Sequence, residues 1–251
     1  MSEVKHITPD LDNQNVDDLV SNILGGIPKV EYSEVKLPSL ATALYGLETP
    51  YLHVRPMTFA DEKAVAAAKK KEGMDILLSR CVEENINPKN LLMQDKLAIL
   101  FHLRAISVGN EYSFNITCNQ CESINENVVD IINTFPCKYA EEPIERTLKI
   151  KLPESGKEVV IRRASSSDLE QDQMKILNEL WRFMIEIEGI TNAKVRAQVI
   201  DYLPRKDVHF IIKHVTLSDI GIDQKFLFVC ANCGHQELEE LKLTSDFFTM
   251  K

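Results

Sequence analysis

Two stretches decide how this chain is built: EYSFNITCNQCESINENVVDI, residues 111–131, and QKFLFVCANCGHQELEELKL, residues 224–243. Each carries a C-x-x-C pair, Cys118 with Cys121 and Cys230 with Cys233. Each pair follows a run of β-branched and aromatic residues and precedes a second strand-like run. The pattern is a strand, a tight knuckle and a returning strand. In such a knuckle the backbone amides point at the sulfurs and help to hold them ionised. Two knuckles facing each other supply four thiolates in the tetrahedral arrangement that zinc prefers. Cys118, Cys121, Cys230 and Cys233 are therefore the expected ligands of one structural Zn2+.

Spacing is the feature that needs an argument, because Cys121 and Cys230 stand 109 positions apart. Loop-closure cost grows only as the logarithm of length and comes to about 4 kcal/mol here. A structural zinc site in small peptides contributes about 10–16 kcal/mol, so a long insertion is tolerable. Two other readings of the pairs stay open. Each could be a redox pair, although neither opens a helix after a strand as a thioredoxin-type motif does, or the site could be a remnant without metal. The remaining cysteines, Cys81 and Cys137, read as a buried thiol and a loop thiol. His235, two residues after Cys233, reads as a bystander or a group behind the ligands.

Composition narrows the function classes. The 251 residues are 44% apolar and 27% charged, with a net charge of −9, which suits a globular chain with its own core. Nucleic-acid binding calls for a basic surface, and the one short basic run, Lys69-Lys70-Lys71, reads as a solvated helix end. The 9 glycines are about half the usual ~7%, and no glycine-rich phosphate loop is present. No run approaches the roughly 18–20 apolar residues of a membrane helix. The polar, acidic opening MSEVKHITPDLDNQ does not read as a secretory signal, so a cytosolic setting is expected.

Along the chain, residues 1–36 read as an arm in which Val16, Leu19, Val20, Ile23 and Leu24 fall at helical spacing, stopped at Gly25-Gly26. Residues 37–251 read as one zinc-stapled domain: helical over 56–110, a knuckle over 111–135, a β-hairpin over 146–163, helical over 165–216, and a knuckle over 221–245. Tyr51–Arg55 alternates like a strand. Thr58 with Asp61 resembles a capping box opening a helix from Phe59 to about Lys71. QDKLAILFHLRAISVG, residues 94–109, is apolar nearly all round and reads as a core helix; His102 within it reads as an ordinary packed or surface histidine. In the hairpin, Leu148, Ile150 and Leu152 face Val159 and Ile161 around a turn at Glu154-Ser155-Gly156. From Ser165 to Gly189 the spacing of Leu177, Leu180, Trp181, Met184 and Ile185 predicts one long helix. Shorter helices are expected over Ala193–Tyr202 and Lys206–Val215. Phe247-Phe248 either tucks in or meets a partner. The fold class expected is α+β, mostly helical with short β-hairpins, a split zinc ribbon with a helical insertion.

Catalytic motifs are missing. No G-x-S-x-G elbow and no H-E-x-x-H helix occurs, and a closed four-thiolate zinc site leaves no position for an activated water. The expectation is a non-enzyme, with no catalytic residues and no small-molecule substrate.

The order of the motifs LPS (37–39), VRPMTFADEK (54–63), DKLAILFHLRAISVGNEY (95–112), the first C-x-x-C, LPESGKEVVIRR (152–163) and the closing C-x-x-C resembles the baseplate hub subunit and hub-assembly family of T-even-type contractile-tailed bacteriophages. The likeness runs from about residue 37 to 245. It implies a structural or assembly role, chaperone-like in the second case, in the tail baseplate hub. It also implies docking to other hub proteins, in the host cytoplasm during assembly and in the virion tail baseplate if the protein stays there. A reading of a different class is a zinc-ribbon protein that binds nucleic acid or a polymerase.

Overall fold

A computed structural model describes residues 20, 23–25, 31–69, 72–169, 177–243 and 245–248. Met1–Glu31 and Tyr32–Lys251 are separate compact units. The expected arm helix and its Gly25-Gly26 stop lie almost wholly outside the described residues, as do Lys70 and Lys71.

The larger unit begins one strand earlier than the arm boundary at 36 implied. Ser33–Lys36 (β1) pairs antiparallel with Tyr51–Val54 (β2), Val35 opposite Leu52. The helices Phe59–Ala67 (α1), Gly73–Cys81 (α2) and Met93–Ser107 (α3) follow. Apolar side chains project from α3 in most directions: Ala98, Ile99, Leu100, Phe101 and Leu103 are all buried, as befits a helix surrounded by other elements. Two hairpins flank the chain's long insertion: Glu111–Thr117 (β3) with Ile124–Asp130 (β4), and Lys225–Val229 (β10) with Gln236–Glu240 (β11). Between them, Cys137–Lys138 (β5) pairs with Gly221–Ile222 (β9), closing the insertion at its base. Phe247 and Phe248 tuck in. Phe247 is fully buried, with its ring 5.3 Å from Phe101 and 5.2 Å from Tyr112.

The insertion has its own core. Thr147–Lys151 (β6), Glu158–Arg162 (β7) and Met184–Ile187 (β8) form a three-stranded antiparallel sheet in that order. Ile150, Val159, Ile161, Met184 and Ile187 from the sheet pack with Ile211 and Val215. These last two lie on Arg205–Thr216 (α5), which follows Ala193–Tyr202 (α4). Asp207 in the first turn of α5 is fully buried and accepts from the backbone N–H groups of Glu154 and Ser155 at 2.8 and 2.9 Å. It pins the β6–β7 turn, where Gly156 takes the left-handed φ of 68° that glycine adopts without steric cost.

Two expectations need correction. The chain is not mostly helical: among the described residues helix makes up 38% and strand 25%, and the described strands form five small antiparallel sheets. The long helix expected over 165–189 does not form as one element. Ser166–Leu169 starts helically, residues 170–176 lie outside the described residues, and Leu180–Arg182 is a 3-10 turn. Met184–Ile187 then pairs with β7 across a bulge at Val160/Ile161. Burial of Leu180, Met184 and Ile187 satisfies a helical period as well as a turn followed by a strand. The free edge of β7, with its unpaired backbone groups, decides between them. Trp181 on the expected stripe is only partly buried; the guanidinium groups of Arg182 and Arg196 lie 5.6 and 5.8 Å from its ring.

Candidate metal centre

Both knuckles are built by the same backbone geometry. In the first, Cys118 N–H donates to the Ser123 carbonyl and Glu122 N–H to the Cys118 carbonyl, each at 2.9 Å. In the second, Cys230 N–H donates to the His235 carbonyl at 2.8 Å and Gly234 N–H to the Cys230 carbonyl at 2.9 Å. The residue four past the first cysteine is left-handed in both, Glu122 at φ 58° and Gly234 at φ 72°. Glycine suits that conformation; glutamate adopts it at some steric cost.

The four sulfurs converge. Cys118 Sγ lies 3.7 Å from Cys233 Sγ, and Cys121 Sγ lies 3.7 Å from Cys230 Sγ. All four lie within 4.8 Å of one another. A disulfide needs about 2.05 Å, so none is formed. A tetrahedron with metal–sulfur bonds of about 2.3 Å has edges of about 3.8 Å, which the two measured contacts match. Cys118 and Cys230 are buried, Cys121 is half-buried and Cys233 exposed. Phe228, Ile116 and Phe226 back the cluster on its inner side. The other two cysteines stand apart from it: Cys81 is sealed in the first core and Cys137 sits on β5.

Polar groups surround the sulfurs. Ser123 Oγ lies 3.1 Å from Cys121 Sγ and 3.3 Å from Cys230 Sγ. Gln120 N–H donates to Cys118 Sγ at 3.4 Å, Asn232 Nδ2 to Cys121 Sγ at 3.5 Å and Asn125 Nδ2 to Cys230 Sγ at 3.6 Å. The Ser123 hydroxyl and the amides of the second knuckle hold Cys230 down to about 5. The Ser123 and Asn232 side chains lower Cys121 as well. Cys233 goes the other way. Against a hydrogen bond from the backbone of His235, the neighbouring sulfurs of Cys121, Cys230 and Cys118 push it up to about 12. Four thiols this close do not all ionise unless a cation joins them. The donor set, its spacing and its outer donors fit a soft or borderline metal ion in a closed site. The expected ligands are the residues that meet. Sequence reasoning missed Ser123, Asn125 and Asn232 because serine and asparagine beside a turn are ordinary turn residues.

The stretches that carry the family resemblance are tied into the fold by internal polar contacts. Ser39 N–H and Oγ donate to Asp95 at 3.0 and 2.6 Å, and Tyr45 OH to the same carboxylate at 2.6 Å. Burial raises the Asp95 pKa. Arg55 and Arg80 converge on the fully buried Asp61. Lys96 pairs with Asp75 at 2.6 Å, both nearly buried. His102 Nε2 lies 2.7 Å from Ser33 Oγ, tying α3 to β1.

The molecule is thus an α+β protein of small antiparallel sheets in which a four-cysteine cluster joins two hairpins far apart in sequence. Residues 29–249 match the family described as T4 bacteriophage base plate protein, and the chain belongs to that family. It is a phage baseplate structural protein, which implies contact with other baseplate proteins and a place in the virion tail. No curated protein and no solved structure matches it. Among the described residues no helix is long and apolar enough to cross a membrane.

Proposed function

We propose that this chain is a component of the tail baseplate hub, built in or acting as a chaperone-like assembly factor, and that it works by docking rather than by catalysis. Zn2+ held by Cys118, Cys121, Cys230 and Cys233 is its structural cofactor. The observation that carries the reading is the family match over 29–249 together with the convergence of the four sulfurs. Supporting it, the strongest polar clusters of the motif stretches are occupied with internal hydrogen bonds, as at Asp61 and Asp95. Zinc would supply no chemistry beyond cross-linking, since four thiolates fill its coordination sphere. By fastening β3–β4 to β10–β11 it would fix both ends of the insertion and present that lobe as a rigid body to a hub partner.

Two measurements test this. The tagged chain pulled from infected cells should bring hub proteins with it, and purified virions should be compared by mass spectrometry to separate a resident part from a departing factor. Recovery of no tail protein would end the docking proposal. Metal analysis should find about one zinc per chain, lost in Cys230→Ser with a lower melting temperature. Unchanged melting with full zinc retention in that variant would refute the metal assignment.

A further inference from the structure

The side chain seven past the first cysteine accepts a hydrogen bond from the opposite hairpin in both knuckles. Asn125 stands seven after Cys118, and its Oδ1 accepts from the backbone N–H of Ala231, one after Cys230, at 2.8 Å. Glu237 stands seven after Cys230, and its Oε2 accepts from Nδ2 of Asn119, one after Cys118, at 2.8 Å. Each knuckle reaches across to the residue after the other's first cysteine, once to its backbone and once to its side chain. Among the described residues β3–β4 and β10–β11 are separate two-stranded sheets with no shared ladder, so side chains align them: these two bonds, and Phe114 packed on Phe226 with ring centroids 5.6 Å apart. Asn125 is the deeper of the two acceptors, 8% exposed. Its neighbours fix the orientation of its amide. With Oδ1 on Ala231, Nδ2 meets the Ser123 carbonyl at 3.0 Å and Cys230 Sγ at 3.6 Å.

We infer that Asn125 and Glu237 form a reciprocal latch that aligns the two thiol pairs before an ion arrives, with Asn125 the principal positioning residue. A site whose donors are already ordered loses less freedom on binding and so holds its ion more tightly. The consequence for the ion rests on the zinc reading above; the latch itself does not.

The test uses the full chain as Asn125→Ala, Glu237→Ala and Glu237→Gln, with two readouts. In chelator-treated protein the Ala231 amide, which donates to Asn125, should exchange slowly with deuterium in the parent and fast in Asn125→Ala. Equal exchange in the two, or a parent that unfolds on chelation, overturns the latch. In chelator competition, Asn125→Ala and Glu237→Ala should each weaken Zn2+ about 10–100-fold. Glu237→Gln, which keeps a carbonyl acceptor for Asn119, should recover most of that loss. Cobalt(II)-loaded variants should keep the sulfur-to-cobalt absorption of a four-thiolate site. Parent-like affinity in both alanine variants overturns the positioning role. A parent chain that binds neither Zn2+ nor Co2+ sinks the zinc reading instead, and the Ala231 exchange still decides the latch.

Discussion

Asp61→Asn removes the charge from the most heavily bonded carboxylate in the first core. The side chain has no solvent exposure. It accepts from Arg55 at 2.7 and 3.1 Å, from Arg80 Nε at 2.7 Å, and from Thr58 N–H and Oγ1 at 2.8 and 2.9 Å. Asparagine fits the space but turns an N–H2 toward donors and leaves two guanidinium groups without their counter-ion. Removing one partner of a buried ion pair costs about 3–5 kcal/mol. Arg80 is 42% exposed and can turn to water, whereas Arg55 is 17% exposed and cannot do so freely. The lower end, about 3 kcal/mol, is therefore expected, a large share of a typical ~5–15 kcal/mol. With a urea slope of about 1–3 kcal/mol per molar, the unfolding midpoint should fall by roughly 1–3 M. Glu158→Gln is the control, since the Lys149–Glu158 pair is more than half exposed on both sides and should change little. A loss below about 1 kcal/mol for Asp61→Asn would refute the claim that this network is buried and tightly paired. The pH dependence follows with a definite sign. Burial pushes the Asp61 carboxyl up, but hydrogen bonds from Arg55, Thr58 and Arg80 outweigh it and hold the group well below the usual carboxylate range. Its stabilisation is then fully present above the unfolded value of about 3.9 and is lost as pH falls toward the folded one. The parent should lose more stability than Asp61→Asn on acidification below pH ~4.

Two further outcomes are expected. Phe247→Ala should cost about 3–5 kcal/mol, read by chemical denaturation, because the ring is fully buried against Phe101, Tyr112 and Phe248; a near-neutral result would mean the tail does not pack there. In an NMR titration His53 should lose its proton above the ordinary 6.5 and His102 below it. The carboxylate of Glu84 holds a proton on His53 at 2.7 Å, whereas burial disfavours charge on His102; the reverse order would show that these contacts do not form.

Local chemistry made some of this protein legible from sequence. The matched flanks of the two C-x-x-C pairs foretold two hairpins with knuckles, because strand propensity and a four-residue turn are decided within about ten residues. The Thr58–Asp61 cap was visible for the same reason, and so was the all-round apolar helix that became α3. What lay beyond reach was every choice made by a distant partner. Met184–Ile187 suits a helix or a strand equally well until the open edge of β7 is there to bond with it. Asp61 announced its cap but not Arg80, nineteen positions away, and Asn125 gave no hint of Ala231 across the cluster. The cysteine spacing named the four sulfurs, but only packing of the two hairpins brings them within 4.8 Å. Periodicity and propensity record what a segment prefers alone; backbone pairing and buried charge depend on neighbours that only the folded chain supplies.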